Sequence, residues 1–128
     1  MKLLLDTHLL LWTAAEPSKL PKKVRSLILD SDNDLFFSAA SIWEIAIKSQ
    51  LGRDDFDVDA HLLRRGLIDN GYLELSINVE HALAVVALPP LHRDPFDRML
   101  VAQATVEGLV LLTSDVQVAA YPGPIRKA

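Results

Sequence analysis

The amino-acid sequence predicts an α/β fold built around a buried, mostly parallel sheet. Three observations carry the prediction. Short apolar runs without polar alternation recur at Leu3–Leu5, Leu35–Ser38 and Leu109–Thr113, as expected of strands covered on both faces. Segments with helical spacing of apolar residues lie between these runs. Glycine or proline punctuates the helical segments at Pro17, Pro21, Gly52, Gly71, Pro89, Pro90 and Gly108.

Taken in order, Leu3 to Leu5 is the first strand, and a helix follows over roughly Thr7 to Ala15. Pro17 and Pro21 break the chain, and Pro21 suits a helix start. In "KKVRSLILD", Val24, Leu27 and Ile28 fall on one helical face. Leu35 to Ser38 is the second strand, and "SIWEIAIKSQLG" is a helix closed by Gly52. Residues 58 to 70 form a helix ending near Gly71, and Tyr72 to Leu75 is a short third strand. Asn78 to Leu88 is a helix stopped by two prolines. "DPFDRMLVAQATVEG" is the strongest helix, with Asp94 as N-cap, Pro95 as first helical residue and Gly108 as terminator. "LVLLT" is the fourth strand, followed by a short turn and the tail "YPGPIRKA", whose basic end is expected to be solvated.

The bulk properties narrow the function. The 128 residues make one domain, 1–128, with enough chain for a real core. Half the residues are apolar and 23% are charged, a globular composition. There is no cysteine, hence no disulfide or thiolate metal site, which suits a reducing cytoplasm. No apolar run approaches the roughly 18 residues of a membrane span, and Asp6 interrupts any signal-peptide core. The net charge is −4 and the pI about 5.4, so any handling of nucleic acid is confined to a local site.

In a parallel sheet, functional groups gather beyond the carboxyl ends of the strands. Asp6 ends the first strand and Asp115 follows the fourth. Glu44 is expected in the first turn of the helix after strand two, and Asp97 in the first turn of the long helix. Each acid also has a purely structural reading. Asp6 fits an N-cap, Ser41 to Glu44 fits a capping box, Asp97 fits an acidic first turn, and Asp115 fits a turn. One fold places all four, however, and crowded carboxylates repel unless a cation joins them. Oxygen ligands without cysteine favour Mg²⁺ or Mn²⁺ over zinc.

Other chemistries find little support. The four histidines, at 8, 61, 81 and 92, show no His-x-x-x-His spacing. Gly-x-Ser-x-Gly, Ser-x-x-Lys, dinucleotide and Walker motifs are missing. His92 and Arg93 read either as phosphate contacts or as plain loop residues. Trp12 and Trp43 are expected to pack in the core or an interface.

"LLLDTHLLLW", "FSAASIWEIAIKSQLG", "HRDPFDRMLVAQA" and "LLTSD", in this order, resemble the PIN-domain family and, within it, the VapC-type ribonuclease toxins of toxin–antitoxin pairs. The resemblance runs from about Lys2 to Gly123. It implies a three-layer α/β/α sandwich and a metal-dependent endoribonuclease whose acidic site maps onto Asp6, Glu44, Asp97 and Asp115. Thr113 matches the family's polar helper, with Ser114 beside it. Asp6, Asp97 and Asp115 would hold one or two Mg²⁺ or Mn²⁺ ions, with Glu44 acting through water. The "VQV" after Asp115 is more apolar than the charged-then-aromatic stretch of many relatives. Lys48, Arg93 and Arg98 lie near the acids and are candidates for steering RNA, with surface ion pairs as their alternative role.

The resemblance also implies a homodimer, for which the Leu-, Ile- and Trp-rich early helices are the expected apolar source. A nuclease with no visible pro-segment or lid is expected to be restrained from outside, by a cognate antitoxin. Its arginine or lysine would enter the acidic pocket, and its amphipathic segment would cover the surface around Trp12 and the "SIWEIAIK" helix. Two rival readings are a PIN-like binding module without catalysis and a receiver-like Mg²⁺-binding signalling domain. The second lacks the acid pair after strand one and an acceptor aspartate after strand three.

Overall fold

A computed structural model describes residues 1–128 apart from Asp55. Five strands, β1 (Lys2–Leu5), β2 (Asp34–Ser38), β3 (Leu73–Leu75), β4 (Val110–Thr113) and β5 (Ile125–Lys127), form one sheet in the order β3-β2-β1-β4-β5. Every pairing is parallel. The helices are α1 (Thr7–Ala15), α2 (Lys22–Leu29), α3 (Ala39–Gln50), α4 (Ala60–Asp69), α5 (Val79–Ala84), α6 (Pro95–Glu107) and α7 (Val116–Ala119). They cover both faces of the sheet, giving the α/β/α sandwich.

The alternation of side chains along β1 divides the core in two. Leu3 and Leu5 pack with Leu9 and Leu10 of α1, Val24 of α2, and Leu63 and Leu67 of α4. Leu4 points the other way and packs with Leu100, Val101 and Ala104 of α6, Leu111 of β4 and Val118 of α7. All three leucines of β1 are fully buried, which explains an unbroken apolar run with no polar face.

The chain fills one half of the sheet first, from β1 through β2 to β3, then returns to the other side of β1 with β4 and β5. The reversal creates a switch point between β1 and β4, where the connections leave in opposite directions. Leu5 pairs with Leu112, so Asp6 and Thr113 emerge side by side, and the Asp6 N–H donates to the Leu112 carbonyl (3.0 Å).

Three expectations require correction. The basic tail is not simply solvated: Ile125–Lys127 is an edge strand paired with β4. Its single apolar residue and exposed Arg126 and Lys127 hid it, since charged residues on an edge strand are a device against aberrant pairing. The turn after β4 contains the helical turn α7, capped by Asp115. Helix α3 begins earlier than expected. Ser38 caps it by accepting from the Ala40 N–H (2.9 Å), so Glu44 lies in the second turn and Ser41–Glu44 forms no capping box. A capping box is found instead at Asn78 and His81.

One fully buried amide ties three elements together. Gln103 of α6 accepts from the Ser38 hydroxyl (2.5 Å) and donates to the Ser76 carbonyl (3.4 Å). Replacing Gln103 by Leu keeps the volume but strands the Ser38 hydroxyl. The expected cost is about 1–3 kcal/mol, checked as a lower urea midpoint with an unchanged slope.

Candidate metal centre

Asp6 is 5% exposed and caps α1: its Oδ1 accepts from the Leu9 N–H at 2.9 Å. Its Oδ2 accepts from the Thr113 hydroxyl (2.6 Å) and the Ser114 N–H (3.3 Å). The capping and functional readings are therefore compatible, because one oxygen caps while the other faces the switch point. Burial raises the Asp6 pKa, against the opposing pull of the Thr113 hydroxyl, the Leu9 N–H, His8 and the Ser114 N–H. Asp115 joins the same chain of contacts. Its N–H donates to Thr113 Oγ1 (3.0 Å) while its carboxylate caps α7 through the Gln117 N–H (2.7 Å).

Glu44 is 3% exposed, and both its oxygens are engaged. The Thr7 hydroxyl donates to Oε1 (2.7 Å) and lies 2.9 Å from Ser41 Oγ. Lys48 Nζ stands 2.6 Å from Oε2, one helical turn on, with the Phe56 ring 4.8 Å below it. Lys48 is thus committed to Glu44 in this state.

Asp97 sits at the third position of α6, beneath the Asp94 cap. Asp94 Oδ1 accepts from the N–H groups of Phe96 (2.8 Å) and Asp97 (3.1 Å). His92 Nε2 hydrogen-bonds Asp97 Oδ2 at 2.8 Å. Burial pushes the Asp97 carboxyl up to about 6, with the charges of Asp94 and Glu44 adding and His92 opposing. The charge of Glu44 on α3 thus reaches Asp97 on α6.

Among the described residues, the group whose ligand atoms all lie within 4.8 Å of one another is His92, Asp94 and Asp97. The four expected acids do not close into one such set. They divide into Asp6 and Asp115, linked through Thr113, and Glu44 and Asp97, linked by charge. Sequence reading missed His92 as a partner of Asp97. Its only signal was an imidazole five residues ahead of an acid, with the Asp94 cap turning the chain between them.

The basic candidates separate. Arg93 is exposed. The Arg98 guanidinium is engaged by the carbonyls of Pro89 (2.9 Å), Val85 (3.2 Å) and Leu88 (3.4 Å) and by the Tyr121 hydroxyl (3.0 Å). That is a structural task, holding the segment before α6. Trp12 is half-buried, whereas Trp43 packs against Phe96 but is 58% exposed and so lies outside the core.

The donor set is hard: carboxylate oxygens with one imidazole and no thiolate, a fit for a small divalent cation. Asp97, whose pKa is raised by burial and by the charges of Asp94 and Glu44, would gain from such a cation. Fold and site together define an α/β/α protein with acidic residues beyond the carboxyl ends of its strands, among them a His92, Asp94 and Asp97 group of a kind that could hold a metal ion. Residues 3–124 match the model of the PIN domain, and the chain belongs to that family.

Solved structures agree on the fold. The crystal structure of VapBC2 from Rickettsia felis, bound to a DNA fragment from their promoter, contains a similar chain at 12% identity. Its TM-score is 0.73, with 99% of this chain and 98% of that one covered. DNA-bound VapBC from Salmonella typhimurium gives 18% identity and a TM-score of 0.69, with the same coverage. VapBC-1 from nontypeable Haemophilus influenzae gives 19% and 0.63, again at 99% and 98% coverage. A comparison with curated protein sequences yields no significant match. No helix, among the described residues, is long and apolar enough to cross a membrane.

Proposed function

We propose that this chain is a Mg²⁺- or Mn²⁺-dependent endoribonuclease, the toxin of a toxin–antitoxin pair acting in the cytoplasm, which cuts RNA to 5′-phosphate and 3′-OH ends. The observation that carries the proposal is the buried Asp6 carboxylate at the switch point, held by Thr113 and Ser114, while the next residue, Thr7, donates to Glu44, whose charge in turn bears on Asp97. Asp6, Asp97 and Asp115 would hold the metal directly, and Glu44 through water. When bound, the metal supplies a hydroxide nucleophile and charge stabilisation at the phosphate.

The chain's own groups do the positioning. Thr113 fixes one oxygen of Asp6, while Thr7 and Lys48 fix Glu44 so that its carboxylate does not swing with the helix surface. Arg93 is the free cation for the RNA backbone among the three proposed. His92 holds Asp97 in place and joins the ligand candidates.

The proposed homodimer has two apolar surfaces to draw on. The α1 leucines are buried in the chain's own core, but the early helices do expose Leu29 (76%), Trp43 (58%) and Leu51 (73%), and a second apolar stretch, Val79, Leu83 and Val86, is 73%, 66% and 83% exposed along one side of α5 and its 3₁₀ extension. A cleft of about 700 Å³, lined by Ile28, Leu29, Leu35, Leu62, Leu63 and Tyr72, offers an antitoxin's apolar segment a seat.

Expressing the chain alone, and with the adjacent open reading frame, tests the pairing. Growth arrest relieved by the neighbour and by Asp6→Asn is the expected outcome. A harmless active enzyme, or no complex with any neighbouring product, would contradict the toxin assignment while leaving the nuclease intact.

A further inference from the structure

We infer that Trp43 is a stacking platform for an unpaired nucleobase beside the acidic pair Glu44 and Asp97. The inference rests on the nuclease reading for its substrate class, RNA, but on its own geometry for the site.

Isolated exposed apolar residues are common and need no explanation. Trp43 differs in three respects. First, its neighbour in sequence is Glu44, and the ring it packs against, Phe96, is the neighbour of Asp97. The two rings meet edge to face at 5.2 Å and 78°. The aromatic pair therefore sits where α3 and α6 bring the two electrostatically linked acids together.

Second, the ring is held without being hidden. Phe96 restricts the indole, while 58% of Trp43 remains open to solvent. An aromatic surface fixed in advance loses little freedom when a base stacks on it. Unpaired RNA bases are commonly recognised in this way, because every base has a π-face.

Third, the surroundings suit a base better than a protein. The exposed positions of α3 are Trp43, Ala46 and Gln50, spaced to share one face. Within the helix that face exposes one large ring, a small and a polar residue, with half-buried Ile47 beside the ring and the exposed Leu51 only at the helix end. A protein-docking face carries apolar residues at several such positions, as α5 does with Val79 and Leu83. The exposed Arg93, three residues before Phe96, supplies a cation for a neighbouring phosphate. With a net charge of −4 the chain has no general attraction for RNA, so a local stacking contact would account for much of the grip on substrate.

The experiment measures binding and cleavage of short, labelled oligoadenylate and oligouridylate, with oligomeric state recorded in parallel. Wild type, Trp43→Phe and Trp43→Ala are compared. The platform predicts that Trp43→Ala weakens RNA binding by about tenfold, with the loss falling on KM more than on kcat, and that Trp43→Phe restores most of it. Oligoadenylate should bind tighter than oligouridylate, and in a Trp12→Phe background Trp43 fluorescence should be quenched on binding.

Equal RNA affinity of all three proteins would overturn the inference, as would conversion of a dimer to a monomer by Trp43→Ala, which would place the ring in a subunit interface. No RNA binding by wild type would overturn it too. Trp43-dependent binding without cleavage would leave the platform standing and count against the nuclease reading. Cleavage indifferent to Trp43 would do the reverse.

Discussion

Asp6→Asn and Asp97→Asn should each reduce metal-dependent RNA cleavage by at least about a hundredfold. Residues that merely orient metal ligands cost about 10–100-fold when removed, and these two are proposed as ligands. The fold should survive both changes. Asn at position 6 keeps the oxygen that caps α1, and Asn is among the best capping residues. What is lost is the second carboxylate oxygen, the acceptor for Thr113 and Ser114. Circular dichroism and a thermal melt on the same preparations separate lost chemistry from lost structure.

The metal-free protein should be more stable near about pH 5 than near about pH 7.5, and a divalent cation should reverse that order. The folded Asp97 carboxyl is raised to about 6, so the folded state holds its proton more tightly than the unfolded chain does. The corresponding stability is fully present below about pH 4, the unfolded value, and is lost as pH rises through about 6. Asp6 shifts in the same direction because it is buried. For Asp97, whose side chain is 18% exposed, the effect is on the order of 2 kcal/mol.

Asp97→Asn should therefore raise the Tm of the metal-free protein at about pH 7.5 by several degrees and flatten its dependence on pH. Saturating Mn²⁺ binds the ionised carboxylates and should stabilise wild type by about 2.7 kcal/mol at a hundredfold excess over Kd, but not the variant. A metal-free Tm that rises steadily from pH 5 to pH 7.5 in wild type would contradict the description of the site.

Most of the fold is legible in the sequence, for local reasons. Leu3–Leu5 and Leu111–Leu112 are unmistakable because a strand covered on both faces has no polar side to display. Asp94, Pro95 and Gly108 mark the ends of α6 by capping chemistry, and Gly108 does adopt the left-handed conformation, φ 69°. β5 was hidden because its place depends on pairing with Leu111–Thr113 of β4, and not on any pattern of its own. The start of α3 was misjudged because Ser38 and Ser41 are equally good caps in isolation. Tertiary contacts decide between them: Gln103 holds Ser38, and Thr7 holds Ser41 near Glu44.

The candidate site is legible in its acids and obscure in their partners. Strand ends and helix starts announce Asp6, Asp97 and Asp115. Nothing along the chain announces that Thr7 and Lys48 would occupy Glu44, that His92 would reach Asp97, or that Arg98 would be spent on three carbonyls and a tyrosine. Those are long side chains finding partners across loops. The exposure of Trp43 is equally invisible, since an aromatic residue on an amphipathic helix ordinarily faces inward.

The central claim, that the acidic site cuts RNA with a divalent metal, is tested most directly by one incubation. Purified protein is mixed with end-labelled single-stranded RNA and Mn²⁺, alongside a chelated control and Asp6→Asn. The account predicts discrete fragments bearing 5′-phosphates with wild type and Mn²⁺ only. Intact RNA in every lane, or fragments that persist with chelator or with Asp6→Asn, would contradict it.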